Sequence, residues 1–462
     1  MGGGPRERLL YSNPWPDLQW SAMVGGGSPS AVDRPMKPIR IALTWMARSP
    51  TRAFVLIFAL GFSIRLFHLA KLPERAILPH DRWEDTAIAT SLVERCEFAD
   101  PYMIPTGPTT HLPPLVPGIL AFFWGLFGMG LAGGYAARLF SITAFSALYA
   151  LAPWLGEKLG LGKEAGVLCG LVGTLIVTGA GNGEEVAGIV IGLMAVVYLR
   201  RWASGLGSIG GSFLLGAAWG VAFHLQPVLL PVVLGWMIFE LWWSRVRRKW
   251  LLSGVMVLGM FVACAPWGWR NYAAFDEVIF IRGNLGLELR MGNFDGAVGA
   301  LEKLEGQVEF RHPRADPVEA RLVQELGEAE YMRRAKAEAI GWIKANPWTF
   351  LRLTASRTIQ FWVGPLHEPG KALATTALTI LALWGAWLTL PGMSPPHRAA
   401  LLTPLICYPL VYYVVIYMPR YRRPLDWILL LFAGAAVWHW LTRGTSYRLP
   451  PGSPAPDAAP LG

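Results

Sequence analysis

Apolar stretches of membrane-spanning length recur along this chain, separated by short polar turns and two longer polar segments. They lie at 51–70, 113–130, 135–155, 165–180, 185–199, 212–226, 227–243, 250–267, 371–390, 399–417 and 425–441. A spanning helix needs roughly 17–25 residues, so the pattern predicts an all-α polytopic membrane protein of about 10–11 helices. The run 113–130, PPLVPGILAFFWGLFGMG, opens on two prolines and ends in glycines, which makes it a weak spanning helix. Residues 1–50 contain GGG twice and a basic flank of Lys37, Arg40, Arg48 and Arg52. They lack the apolar core of a cleavable signal and read as a flexible cytoplasmic tail. The Pro- and Ala-rich stretch 444–462 reads as disordered.

Between the membrane module 51–268 and the C-terminal helices 371–443 lies the one sizeable polar insert, 269–370. It opens with WRNYAAFDEVIFIRGNLGLELRMGN, which looks strand-like, and an external α/β region is expected. EARLVQELGEAEYMRRAKAEAIGWIKANP follows, with Leu322, Leu326, Ala329 and Met332 at helical steps. PWTFLRLTASRTIQFW places Trp348, Leu351, Ile359 and Trp362 among basic residues, as an interfacial helix does. About 100 residues bury only a modest core, so the insert is expected to dock on the bundle.

Composition agrees with the membrane reading. The chain is 53% hydrophobic and only 16% charged, against about 25% charged for soluble domains. Its net charge of +10 does not indicate nucleic-acid binding, because much of the basic excess flanks membrane segments and bears on topology. Cys169, Cys264 and Cys407 sit in apolar runs and Cys96 stands alone in a polar loop, so no disulfide framework or metal spacing is visible.

Basic clusters favour the cytoplasm. With the N-terminus inside and 113–130 lying at the interface or re-entering, Lys158 with Lys163, Arg200 with Arg201, and 245–249 all fall inside. This gives ten spans, both termini inside, and external segments at 71–134, 181–185, 224–227, 269–370 and 418–424. Arg420, Arg422 and Arg423 in MPRYRRPLD then break the rule. Three guanidinium groups outside suit an anionic partner such as phosphate, or pair with carboxylates of the long loop.

The external face collects candidate chemistry. HDRWED supplies Asp81, Glu84 and Asp85 just past the first span. Asp81-x-x-Glu84 also fits a capping box that merely starts a helix. PTGPTTHLPPLVP brings hydroxyls and His111. Glu184 and Glu185, His224 with Gln226, and Arg270 with Asn271 lie at other external turns, and carboxylates at membrane depth are usually functional. The paired acids leave room for a divalent cation, although no clustered ligand spacing supports one and no cofactor is assigned.

RWEDTAIATSLVERCEFADPYMIPTGPTTHLPPLVPGILAFFWGLFG resembles the first external loop of glycosyltransferase family 39 proteins, in the GT-C superfamily with protein O-mannosyltransferases and lipid A aminoarabinose transferases. PWGWRNYAAFDEVIFIRGNLGLELRMGN, LGEAEYMRRAKAEAIGWIKANPWTFLRLTASRTIQFW and RYRRPLD are similar to later blocks of bacterial members, so the resemblance is spread over most of 51–441.

The resemblance implies a GT-C transmembrane bundle in the inner cell membrane, with its active site facing the exterior. It implies transfer of a sugar from a polyprenyl-phosphate donor to a lipid, glycan or protein acceptor, with inversion and with an acid of the first loop as base. Trp83-Glu84 matches the Trp-Glu of the bacterial proteins, which favours Glu84, with Asp81 second and Asp85 also a candidate; mannosyltransferases instead carry adjacent Asp-Glu. His111, Glu184, Glu185 and His224 are the expected substrate-binding groups, with Arg270, Arg420, Arg422 and Arg423 for the lipid phosphate. The rivals are a lipid-linked sugar flippase, which would show inverted repeats, and a non-catalytic scaffold.

Overall fold

The computed structural model describes residues 33–78, 83–176, 183–300 and 311–442. Residues up to 42 form a separate unit, of which the start of the helix Asp33–Ala47 is described. The remainder is helical, with no strand among the described residues.

Among the described residues six helices are long and apolar enough to cross a membrane: Pro50–Leu69, Leu131–Lys158, Glu184–Ala203, Lys249–Phe275, Pro369–Gly392 and Pro419–Leu441. Three of the ten expected spans fall short, and a fourth, 165–180, runs on past the described residues. Lys163–Ile176 is described over 14 residues, Ile209–Leu225 has 17, Pro227–Trp243 is another shorter apolar helix, and 399–417 is broken into Pro395–Cys407 and Leu410–Val414. The doubtful run 113–130 forms Leu115–Phe127, 13 residues. At 1.5 Å per residue that is about 20 Å, too short for a hydrocarbon core of about 30 Å.

Pro419–Leu441 is the central post: 83% of its apolar window is buried, against 11% for Pro369–Gly392, which faces outward. Elsewhere small residues let backbones touch. A Cβ at Gly216 would lie 1.9 Å from the Met256 carbonyl oxygen, and one at Gly259 would lie 2.2 Å from that of Phe213. Ile209–Leu225 and Lys249–Phe275 therefore pack as membrane helices do, on close backbone approach.

The polar insert differs from expectation at its start. Val278, Ile279, Phe280 and Ile281 read as a strand, yet no strand forms. Lys249–Phe275 runs on past the expected end of its span, and the next helix is Leu285–Gly292. The main-chain groups between them are used by side chains and by the first loop. Asn271 Nδ2 donates to Ile279 O (2.8 Å), Trp267 Nε1 donates to Ile281 O (3.1 Å), and Gly283 N donates to Thr110 O (3.0 Å). With these groups bonded back onto the bundle, the apolar run has no sheet to join. The expected helices do form, as Pro317–Leu326, Glu328–Ala345 and Pro347–Val363.

The basic clusters used for topology are not equivalent. Arg201 is buried and donates from Nε to Glu240 Oε1 (3.0 Å) and from Nη1 to Ser212 Oγ (2.6 Å). A cation neutralised inside the bundle weighs less in orienting the chain than an exposed one.

Candidate functional site

One end of the bundle gathers the segments that sequence assigned to one face. A tight turn first shapes the loop before Leu115–Phe127. Asp100 Oδ1 accepts the N–H groups of Thr106 (2.8 Å) and Gly107 (2.7 Å). Gly107 sits at φ +80°, which glycine adopts without strain. The following Thr109, Thr110 and His111 are buried. Glu328, itself buried at the start of its helix, accepts the Thr109 hydroxyl, the Thr110 N–H (2.6 Å) and the Thr110 hydroxyl (2.9 Å). The polar insert thus grips the hydroxyl-rich loop.

Glu84 opens the helix Glu84–Arg95. The expected capping box is not what starts it: Glu84 is the first helical residue, and Thr86 Oγ1 reaches back to the Trp83 N–H (3.3 Å). Asp81 lies outside the described residues. Asp85 Oδ1 accepts the Thr86 N–H (2.9 Å), a helix-starting role. The Glu84 side chain is 20% exposed, so a substrate can reach it. Burial raises its carboxyl above the ordinary range. Its own helix backbone and the positive charges of Arg314, Arg420 and Arg282 pull the other way.

Around Glu84 stand two imidazoles and a phenol. His312 Nε2 lies 3.7 Å from Glu84 Oε1. The His111 and His312 rings meet edge-on with centroids 5.8 Å apart, and Tyr102 OH lies 3.1 Å from His111 Nδ1. Burial drives the pKa of His111 well below 6.5 and that of His312 down to about 4, so both rings are neutral near pH 7.

Glu84, His111 and His312 each offer a ligand atom within 4.8 Å of the others. The distances are near those of a metal site, and it is the His312 tautomer that argues against one. Ligands at 2.0–2.1 Å from a tetrahedral zinc stand about 3.3 Å apart. His312 Nδ1 accepts the Arg314 N–H (3.0 Å), so the neutral ring carries its hydrogen on Nε2, the nitrogen that faces Glu84.

The arginines separate by role. Arg420 is half-exposed, its Nε 3.9 Å from Glu184 Oε1, and its charge is felt at Glu84. Arg422 is buried and donates from Nε to Asp426 Oδ1 (2.7 Å), so it is committed inside its own helix. Arg423 Nη1 lies 4.0 Å from the buried Glu185. Among the described residues, the carboxylates paired with RYRR come from the bundle. Arg270 is occupied structurally: it donates to Thr109 O (2.8 Å) and Phe98 O (2.6 Å), against the faces of Phe98 and Trp267. His224 Nδ1 lies 2.8 Å from the Gly220 carbonyl of its own helix.

Glu84, His111, Glu184 and Arg420 are thus brought together, while Arg270, Arg422, Asp85 and His224 make local or structural contacts. Sequence reading missed His312, Arg314 and Tyr102. RHPRADP, which carries the first two, sets its histidine close to prolines as the stretch around His111 does, and the chain has only 8 histidines. That scarcity was the available signal.

No protein-family model matches the chain, and no curated protein matches its sequence.

Proposed function

We propose that this chain is an integral-membrane glycosyltransferase of the GT-C type, moving a sugar from a polyprenyl-phosphate donor to an acceptor on the outer face of the inner cell membrane. The observation that carries the reading is the reachable, partly buried Glu84 carboxylate, which feels the charge of Arg420, at the end of an apolar helical bundle. The resemblance of the first loop and of RYRRPLD to family 39 proteins supports it.

The chemistry assigns each group a task. Glu84 takes the proton of the acceptor hydroxyl as its oxygen attacks the anomeric carbon, and such a base contributes roughly 10²–10⁴-fold. The bond between that carbon and the phosphate oxygen breaks, and its electron pair leaves with the lipid phosphate. Arg420 stabilises the departing anion electrostatically, so the phosphate needs no proton. A single displacement inverts the anomeric centre. Glu184 orients Arg420. The outward-facing apolar helices give the prenyl chain a route from the bilayer.

The test uses membranes containing the full chain and radiolabelled undecaprenyl-phosphate mannose and glucose as donor probes. Release of free undecaprenyl phosphate, abolished by Glu84→Gln in folded protein, is expected. Undiminished release by Glu84→Gln removes Glu84 from the base role, and no release from any lipid-linked sugar leaves a flippase or a scaffold.

A further inference from the structure

We propose that His312 is a positioning residue for Glu84, delivered by the polar insert: it presents an Nε2–H to the carboxylate and fixes the rotamer of the group that takes the proton. The role given to Glu84 rests on the glycosyltransferase reading; the contact itself does not.

Three observations converge on it. The first is the tautomer. The Arg314 backbone N–H occupies His312 Nδ1 at 3.0 Å, and a neutral imidazole has one donor and one acceptor nitrogen, so Nε2 bears the hydrogen. The second is aim. That nitrogen is 3.7 Å from Glu84 Oε1. This is longer than a hydrogen bond, but such contacts in unliganded sites are often long and close only when substrate is bound. The third is rigidity. The His312 ring is buried, with the His111 ring edge-on at 5.8 Å and Tyr102 at 6.3 Å. Arg314 further pins the segment by donating to Tyr102 O (2.8 Å). A neutral donor orients a carboxylate without cancelling its charge, which suits a base that must stay ionised. Burial of His312, which holds the ring neutral, agrees.

The contact joins parts of the chain far apart in sequence. Glu84 follows the first span, and His312 belongs to the insert that also grips Thr109 and Thr110 through Glu328. Docking of the insert therefore sets the geometry of the base. A misplacement of about 1 Å can cost around 10²-fold in rate.

The experiment uses the full chain in nanodiscs with ¹⁵N-labelled histidine, His312→Gln serving as the assignment control. Expected is a neutral His312 ring protonated on Nε2 at pH 7, whose Nε2 resonance moves on Glu84→Gln. A ring protonated on Nδ1, or a resonance that ignores Glu84→Gln, overturns the contact. Zinc chloride is titrated into the same sample: stoichiometric binding that is lost in His312→Gln would make the residue a ligand and overturn the proposal.

In the transfer assay His312→Ala should lower kcat about 10–100-fold with donor KM little changed. His312→Gln, whose amide keeps an N–H near the same place, should recover most of it. Equal loss in both variants would reduce His312 to a structural role. Silence of the wild-type enzyme toward every donor would sink the transferase reading while the resonance still decides the contact.

Discussion

Glu328 accepts both the N–H and the hydroxyl of Thr110, at 2.6 and 2.9 Å, across 218 residues of chain. Hydrogen bonds to an ionised group contribute about 1.5–3 kcal/mol each. Glu328→Ala should therefore loosen the loop carrying His111 and free the insert. Faster amide exchange in residues 98–111, with a lower melting temperature, is the expected result; exchange unchanged from wild type would mean the grip adds nothing.

Arg420 and Arg422 should respond differently to the same substitution. Arg420→Gln leaves the fold intact and weakens use of the lipid phosphate, with kcat/KM down roughly 10²-fold. Arg422→Gln leaves Asp426 buried without its partner, which costs on the order of 3–5 kcal/mol. Melting temperature and donor kinetics, measured together on both variants, separate the two; a stable but inactive Arg422→Gln would contradict the assignment.

Acid should switch transfer off above the ordinary carboxylate range. The Glu84 carboxyl is raised by burial, so its ionised form is lost as pH falls through that raised value, above the ordinary glutamate value near 4.3. Arg314→Gln removes a cation that favours ionisation, and the acid limb of the rate profile should move further up. A limb that stays put would show that another group controls it.

Stability should fall over a nearby window for a different reason. His312 titrates near 6.5 when unfolded and about 4 when folded, and His111 is depressed in the same sense. The unfolded chain therefore binds more protons below about 6.5, so stability is full above that value and declines toward pH 4. The ceiling for His312 is on the order of 3 kcal/mol. Thermal melts between pH 7.5 and 4.5 should show the decline, and His312→Gln should flatten it.

Much of the fold was legible because hydrophobic runs dictate spans directly. Pro50–Leu69 and Pro369–Gly392 match their runs, and the proline- and glycine-flanked 113–130 gives only the short Leu115–Phe127. What failed depended on partners. Val278 to Ile281 form a short apolar, β-branched run like a strand, but Asn271, Trp267 and Thr110 claim main-chain groups in and beside it. At the site, the meeting of Glu84 and Arg420 follows from both sitting at one end of the bundle. Which arginine is spent internally does not: the i,i+4 spacing of Arg422 and Asp426 was readable, whereas the bond of Arg270 to Phe98 and Thr109 required the fold.

Among the described helices, Pro419–Leu441 is synthesised last, yet it is the one the others surround. A ribosome that has released every earlier helix has made a ring without its axle. Until that segment inserts, Glu84 lacks the charge of Arg420, and the Ala165 carbonyl lacks the close approach of Gly434. If the chain is the transferase proposed above, its competence waits for this last helix.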